Sequence, residues 1–306
     1  MCNRIPTVIA AVIFVFAACF CQAGEQGEKE QEITIGVLAA NGKLNALKQW
    51  NTTAEYLTAS LDVPFSIVPL EFGEVLPAVE KDEVDFFIAN PFLFVTAKVR
   101  YAAVPVATMQ SSGQDSFGGV IFTAANTDII DLTDLKGRKF GAVQKNSLGG
   151  WQMAQKEFAD AGINALTYFS TLRFFDTHTK VVRAVLSRQV HAGTVRTGVL
   201  EKMAENEEIE MLDVKILAQK HYPEFPFVVS TPLYPEWVLA RTASTDTYSA
   251  DKVARYLKYL TKGARAADDA QCTGWSDPLD YSGLEELQKG LKIGAYEEEE
   301  EEEPAK

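Results

Sequence analysis

The sequence predicts an α/β protein whose two α/β lobes are joined by two crossing hinge segments. Three observations support this fold class. From residue 32 onward, apolar runs typical of buried strands alternate with helical periodicity, which indicates parallel sheets with crossover helices. The alternation begins a second time near residue 134. A Pro-rich stretch at 222–237 then leads into further helical periodicity, which can return the chain to the first lobe.

The first lobe is predicted to comprise residues 24–122 and 229–296. Its apolar runs have the length of strands, and its helical stretches each show an apolar face. In chain order we predict a strand at 32–40, a helix at 44–61, a strand at 64–72, a helix at 74–84, a strand at 85–91, strands at 104–110 and 118–125, and one long terminal helix at 249–270.

The second lobe is predicted to comprise residues 123–228. In chain order we predict a strand at 139–144, helices at 150–162 and 179–189, a strand at 192–196, a helix at 198–207 and a strand at 213–219. The two crossings are expected near 118–126 and 227–233. Two crossings of this kind would form a hinge beside a ligand cleft.

Residues 1–23 have the pattern of a secretory signal peptide, in which Arg4 precedes an apolar run that ends in small residues. We expect cleavage after Ala23 and a periplasmic location. A lipoprotein signal with acylation of Cys19 is the alternative. Cleavage after Ala23 leaves Cys272 as the only cysteine, which excludes an internal disulfide.

The formal net charge of the chain is -13, and a run of glutamates at 297–303 contributes strongly to it. We predict that residues 297–306 form an acidic, disordered tail. An acidic chain argues against nucleic acid and anionic membrane surfaces as partners. A small anionic ligand remains compatible with this charge, because local hydrogen-bond donors decide the affinity of a small site.

The stretch "KNSLGGWQ" is the first candidate for anion binding. It follows a predicted strand, and Ser147 can cap the helix that comes next, so that backbone N–H groups point outward at a positive helix end. Gly149 and Gly150 would let a ligand approach that backbone. The candidate contacts are Asn146, Ser147, Leu148, Gly149, Gly150 and Trp151. An ordinary capped helix start, with glycines for packing, is the alternative.

Arg196 is the second candidate, because it stands among small and apolar residues at the end of a predicted strand. Ligands of open α/β sheets bind at such strand ends. A buried guanidinium needs an anionic partner, which can be a ligand or an internal Asp or Glu. Thr197 beside it can donate a hydroxyl or cap the next helix.

Further candidates surround the same predicted cleft. Thr177 can cap a helix that begins at His178, and the His178 imidazole could donate to an oxyanion. Asn90 precedes Pro91 at a strand end of the first lobe, from which its amide could cross the cleft. Trp151 and Trp237 are candidate aromatic walls of that cleft, and Trp151 is the better one because it follows the two glycines.

Signals for catalysis and for metal are weak. Ser147 lacks the G-x-S-x-G pattern, and the three histidines lack the spacing of metal ligands. The sequence therefore predicts a binding protein without a cofactor. A periplasmic hydrolase that uses Ser147 as its nucleophile is the alternative.

Nine stretches, taken in order, resemble a known family. They are "WNTTAEYL" (50–57), "VDFFIANP" (84–91), "DLKGRKFGAV" (134–143), "SLGGWQ" (147–152), "THTKVVRAVL" (177–186), "AGTVRTGVLE" (192–201), "FP" (225–226), "STPLYPEW" (230–237) and "GWSDPLDY" (274–281). Over residues 33–296 the chain resembles the PhnD-like phosphate/phosphonate-binding proteins, and within them the periplasmic sensor domain of TtrS-type tetrathionate sensor kinases.

The resemblance implies a type 2 periplasmic binding protein fold that closes on a small oxyanion, either phosphate or phosphonate or a sulfur oxyanion such as tetrathionate. It implies ligand contacts at Asn90, the 147–150 turn, His178 and Arg196. It also implies a membrane partner that recognises the closed form, either the permease of an ABC importer or a sensor histidine kinase. We expect the chain to act as a monomer.

Overall fold

The computed structural model describes Met1, residues 32–40 and residues 42–297. The predicted signal peptide beyond Met1, the candidate acylation site Cys19 and tail residues 298–306 lie outside the described residues. The fold below belongs to one compact unit that begins at residue 31.

The secondary structure follows the predicted alternation closely. The strands are β1 (Ile33–Leu38), β2 (Phe65–Leu70), β3 (Phe86–Ala89), β4 (Val104–Gln110), β5 (Ser116–Phe117), β6 (Gly119–Ala124), β7 (Lys139–Ala142), β8 (Thr171–Phe174), β9 (Ala192–Arg196), β10 (Val214–Leu217), β11 (Tyr234–Pro235), β12 (Val238–Arg241) and β13 (Gly274–Ser276). The helices are α1 (Lys43–Leu61), α2 (Val75–Glu80), α3 (Pro91–Tyr101), α4 (Met153–Asp160), α5 (Ala165–Tyr168), α6 (His178–Leu186), α7 (Val199–Glu205), α8 (Thr247–Leu257), α9 (Arg265–Asp269) and α10 (Ser282–Leu291).

These strands form two main sheets, which define the two lobes. The first sheet has the order β13-β4-β12-β3-β1-β2, and the second has the order β10-β6-β9-β7-β8. In the first sheet β1 is parallel to β2 and β3, whereas β12 is antiparallel to both of its neighbours. In the second sheet β7 is parallel to β8 and β9, whereas β6 is antiparallel to β9 and β10.

Each sheet is covered by helices on both faces, and this explains its continuous apolar strands. All residues of β3 and of β6 are buried. One face of the first sheet packs with α2, α3 and α10, and the other packs with α1, α8 and α9. The second sheet has two such apolar clusters of its own.

The crossing between the lobes differs from the predicted one. Residues 118–126 were expected to cross, but β6 pairs along its whole length with β9 and β10 and therefore belongs to the second sheet. A two-stranded ribbon of β5 and β11 lies at the crossing instead. The run "FGGVIFTA" does not indicate where the ribbon ends and β6 begins. Its two glycines, Gly118 and Gly119, do not mark a turn but allow close packing against Val229 and Thr231.

The predicted long helix at 249–270 is two helices, α8 and α9. The first helix ends at Leu257 and the second begins at Arg265, and Gly263 between them has a φ of 94°, which is incompatible with helix. Similarly, the predicted helix at 150–162 begins as a π-helical turn, Leu148–Gln152, before α4. None of the helices in the described ranges is long and apolar enough to cross a membrane.

Candidate functional site

A pocket of about 350 Å³ lies at the carboxyl edge of the second sheet, beside the ribbon that joins the lobes. Its lining includes three of the predicted residues, His178, Arg196 and Thr197. The strand order explains this convergence. β9 ends at Arg196, and α6, which follows β8, begins at His178 on the same edge.

Arg196 is held by partners in and next to the connecting ribbon. Its Nη2 donates to Oε1 of Glu236, a carboxylate whose side chain is 1% exposed. Its guanidinium carbon lies 4.1 Å from the centroid of the Phe117 ring, which is a cation–π geometry. The second carboxylate oxygen of Glu236 accepts the backbone N–H of Trp237 at 3.2 Å. The internal ion pair that the sequence left open is therefore present, and Arg196, whose side chain is 28% exposed, also lines the pocket.

His178 is an uncharged imidazole at this site. Its Nδ1 accepts the backbone N–H of Arg196 at 3.2 Å, so its proton resides on Nε2. Burial, together with the nearby Arg196 charge, lowers the pKa of His178 to about 4. At neutral pH the imidazole therefore carries no charge, and its Nε2–H can donate to a ligand.

The two threonines have different roles. Thr177 caps α6 by accepting the backbone N–H of Lys180 at 3.4 Å, and its side chain is exposed outside the pocket lining. Thr197 is buried, and its hydroxyl oxygen accepts the backbone N–H of Gly118 at 3.2 Å. The hydroxyl proton of Thr197 remains available for donation into the pocket that this residue lines.

The Ser147–Gly150 turn is packed against protein atoms and does not line this pocket. Ser147 caps the π-helical turn by accepting the backbone N–H of Gly150 at 3.2 Å, as predicted. A Cβ on Gly149 would lie 3.0 Å from the Phe117 ring and 3.2 Å from Cβ of Arg196. Leu148 is buried in the first-lobe cluster that contains Phe117, and Asn146 is exposed.

The remaining candidates also lie outside the pocket lining. The expectation that Trp151 forms a cleft wall is wrong in this structure, because its side chain is 1% exposed and packs between Phe140 and Phe174 in the second lobe. Trp237 is half-buried between the two first-lobe clusters. Asn90 caps α3 by accepting the backbone N–H of Leu93 at 2.9 Å.

Sequence reasoning missed Glu236, Phe117 and Phe227, all of which line the pocket. Glu236 carried a usable signal. It is a carboxylate between Pro235 and Trp237, in an apolar crossing where a buried charge requires a partner, and Arg196 was already the best cation available. The two phenylalanines carried no such signal, since nothing local distinguishes a pocket phenylalanine from a core one.

Chemically, the site offers neutral donors and a guanidinium that is compensated by a carboxylate. In the described part of the chain, no group of three or more His, Cys, Asp or Glu side chains is arranged to hold a metal ion. Cys272 is a free, buried cysteine, and burial raises its pKa.

Two helix-covered sheets, a connecting ribbon and a pocket at a sheet edge define a two-lobed binding protein. The chain belongs to the family described as "ABC transporter, phosphonate, periplasmic substrate-binding protein", which it matches over residues 35–282. The family is one of binding proteins, not of enzymes, and it works outside the cytoplasm.

Solved structures show the same fold. PhnD1 from Prochlorococcus marinus (MIT 9301), in complex with methylphosphonate, is 16% identical with a TM-score of 0.65, and the likeness covers 86% of this chain and 99% of that chain. XAC2383 from Xanthomonas citri, bound to ATP, is 15% identical with a TM-score of 0.68, over 85% of this chain and 97% of that one. The predicted type 2 periplasmic binding protein fold is confirmed.

A sensor protein is similar as well. The tetrathionate sensor histidine kinase TtrS of Salmonella typhimurium (strain LT2) is 29% identical over 265 residues. The aligned part is 84% of this chain and 43% of the kinase. This chain therefore spans less than half the length of that relative.

Proposed function

We propose that this chain is a periplasmic solute-binding protein that closes its lobes on a solute with an oxyanion group. The observation that supports the proposal is one pocket whose lining brings together His178, Arg196 and Thr197, three residues whose side chains carry hydrogen-bond donors. Three donors of this kind suit an oxyanion, because they supply hydrogen bonds without a metal.

Closure would be carried by the contacts that join the two lobes. Arg196 ends β9 of the second sheet, whereas Glu236 directly follows β11 of the connecting ribbon, so their ion pair ties the second lobe to the ribbon. Leu148 of the second lobe adds apolar contact with the first-lobe cluster. A ligand that binds between the lobes would favour this closed arrangement over an open one.

We further propose that a membrane protein recognises the closed form. Two partners are compatible with the relatives, namely an ABC permease, which the family description names, and a sensor histidine kinase such as TtrS. Co-purification of the chain with each candidate, with and without ligand, would discriminate between them.

Thermal unfolding with a panel of anions tests the ligand class. The protein, purified after export, is heated with tetrathionate, thiosulfate, sulfate, phosphate or methylphosphonate. A ligand at 100 times its dissociation constant adds about 2.7 kcal/mol of stability, which raises the midpoint by several degrees. If none of the five anions raises the midpoint, the proposed ligand class is wrong.

A matched pair of histidine variants tests the site. His178 and His191 each accept a backbone N–H through Nδ1, but only His178 lines the pocket. His178→Asn keeps the acceptor and removes the Nε2–H donor, so we expect at least tenfold weaker binding of the anion by calorimetry. His191→Asn should bind it like the native chain. Equal affinities for the two variants would remove His178 from the site.

A further inference from the structure

Glu236 is a buried carboxylate whose backbone and side chain are both held by hydrogen bonds. Its side chain is 1% exposed. Its backbone N–H donates to the carbonyl oxygen of Asp115 at 2.8 Å, and its Oε2 accepts the backbone N–H of Trp237 at 3.2 Å. Its Oε1 accepts Nη2 of Arg196. Glu236 is therefore a fixed negative charge beside the Arg196 guanidinium, and both residues line the pocket.

Arg196 is held by Glu236 but keeps donors for a ligand. Nη2 makes the ion pair, whereas Nε–H and the N–H groups of Nη1 are not used by this carboxylate. The Phe117 ring, 4.1 Å from the guanidinium carbon, contacts the same group. Glu236 and Phe117 therefore fix the position of Arg196, and Glu236 also compensates its positive charge.

The charged side chains that line the pocket are all in ion pairs, but only Glu236 is fully buried. Lys202 pairs with Glu205 at 2.8 Å, and Glu208 pairs with Arg183 at 2.9 Å, and all four of these residues are exposed. Water and salt screen exposed charges strongly, whereas a buried carboxylate is screened much less. Glu236 is therefore the negative charge in the lining that acts most strongly on a bound anion.

We propose that Glu236 determines how many negative charges the pocket accepts on an oxyanion. The attraction of an anion by Arg196 and its repulsion by Glu236 both grow in proportion to the charge of the anion, so they largely cancel. The hydrogen bonds that remain are available to a monoanion and to a dianion, but removal from water costs the dianion more. Glu236 is a positioning residue, because it acts on the ligand through Arg196. This inference rests on the proposed function.

Sulfate and methanesulfonate test the inference by calorimetry on the protein purified after export. Both are tetrahedral ions of similar size centred on sulfur, but sulfate carries one more negative charge at neutral pH. The native chain should bind methanesulfonate more tightly than sulfate. Glu236→Gln keeps an acceptor for Arg196 and removes the charge, so the affinity should rise about tenfold for methanesulfonate and about a hundredfold for sulfate.

Two further variants separate the charge of Glu236 from its position. Glu208→Gln removes a negative charge from the lining of the same pocket, but that carboxylate is exposed and pairs with Arg183, so both affinities should stay near the native values. Glu236→Asp keeps the charge on a shorter side chain, so it should keep the native ratio of the two affinities. Thermal unfolding checks that each variant folds.

The possible failures are distinct. Equal changes in the two affinities in Glu236→Gln, or as large a change of their ratio in Glu208→Gln, would overturn the role of Glu236 and leave anion binding standing. A native chain that prefers sulfate would overturn it as well. If neither ion binds to the native chain or to any variant, the inference is wrong, and the proposed function is wrong too only if the whole anion panel also fails.

Discussion

The Ser147–Gly150 turn and the end of β9 lie at the same carboxyl edge of the second sheet, yet they are used differently. The turn has two buried glycines and contacts protein atoms on its open side. The end of β9 carries Arg196, which is 28% exposed and lines the pocket. A glycine pair indicates that something approaches the backbone closely, but it does not indicate whether a ligand or the other lobe approaches.

The largest expected effect sharpens the role of β9. Arg196→Met keeps an apolar chain over Phe117 but leaves the buried Glu236 carboxylate without its partner, so it should cost about 3 to 5 kcal/mol of unfolding free energy. Chemical denaturation measures this loss. Arg196→Met combined with Glu236→Gln should recover most of it. Arg138→Met, at an ion pair with the exposed Asp128, is the control. A double variant no more stable than the single one would contradict a dominant Arg196–Glu236 pair.

The next effect depends on pH. The pKa of His178 is lowered from 6.5 to about 4, so the unfolded chain takes up this proton first as the pH falls. This group therefore leaves the unfolding free energy at its full value above pH 6.5. The unfolding free energy falls as the pH falls towards 4, and the loss is about 2 kcal/mol at pH 5. Between pH 8 and pH 5 the native chain should therefore lose more unfolding free energy than the His178→Asn variant. An unchanged difference between the two proteins over this range would show that His178 is not buried as described.

Gly150→Ala tests whether the turn is a packing element. Its new Cβ would lie 2.5 Å from Cγ2 of Val143 and 2.6 Å from Oγ of Ser147, and overpacking of this kind costs about 1 to 3 kcal/mol. Gly73→Ala is the matched control, because a Cβ there meets nothing within 4 Å. Similar unfolding midpoints for the two variants would mean that the turn has space for an approaching ligand.

The smallest expected effect separates capping from binding. Ser147→Ala removes the cap of the π-helical turn and should cost about 1 kcal/mol, like Thr177→Ala at α6. Because Ser147 does not line the pocket, anion affinity measured by calorimetry should stay at the native value. A tenfold loss of affinity in Ser147→Ala, but not in Thr177→Ala, would return the turn to the binding site.

These contrasts explain how much the sequence predicted. Strands such as β4 and β9 match their predicted bounds, because continuous apolar runs and flanking turn residues are local signals. The cap at Ser147 was predictable for the same reason, whereas the cap at Asn90 was not predicted. In the sequence, only the apolar residues around Glu236 distinguish it from an ordinary surface acid. Its partner Arg196 lies 40 residues away, so no local pattern indicates the pair.

Two failures have a tertiary cause. Trp151 was expected at the cleft because it follows two glycines, but the π-helical turn directs it into the second-lobe core. One of the two crossings is predicted near 118–126, where the first alternation of strands and helices ends. β6 belongs to the second lobe because it pairs with β9 and β10, which come later in the chain. No local sequence pattern indicates such pairing.

The position of β12 has a consequence for the order in which the protein is assembled during synthesis. β12 lies between β3 and β4, so those two strands have no common neighbour until residue 241 has been made. The second sheet, by contrast, is complete by residue 217. We therefore expect the nascent chain to complete its second sheet first. Until β12 is made, the edges of β3 and β4 that pair with it remain unpaired. That interval, which ends when β12 emerges, is when we expect a chaperone to be most needed.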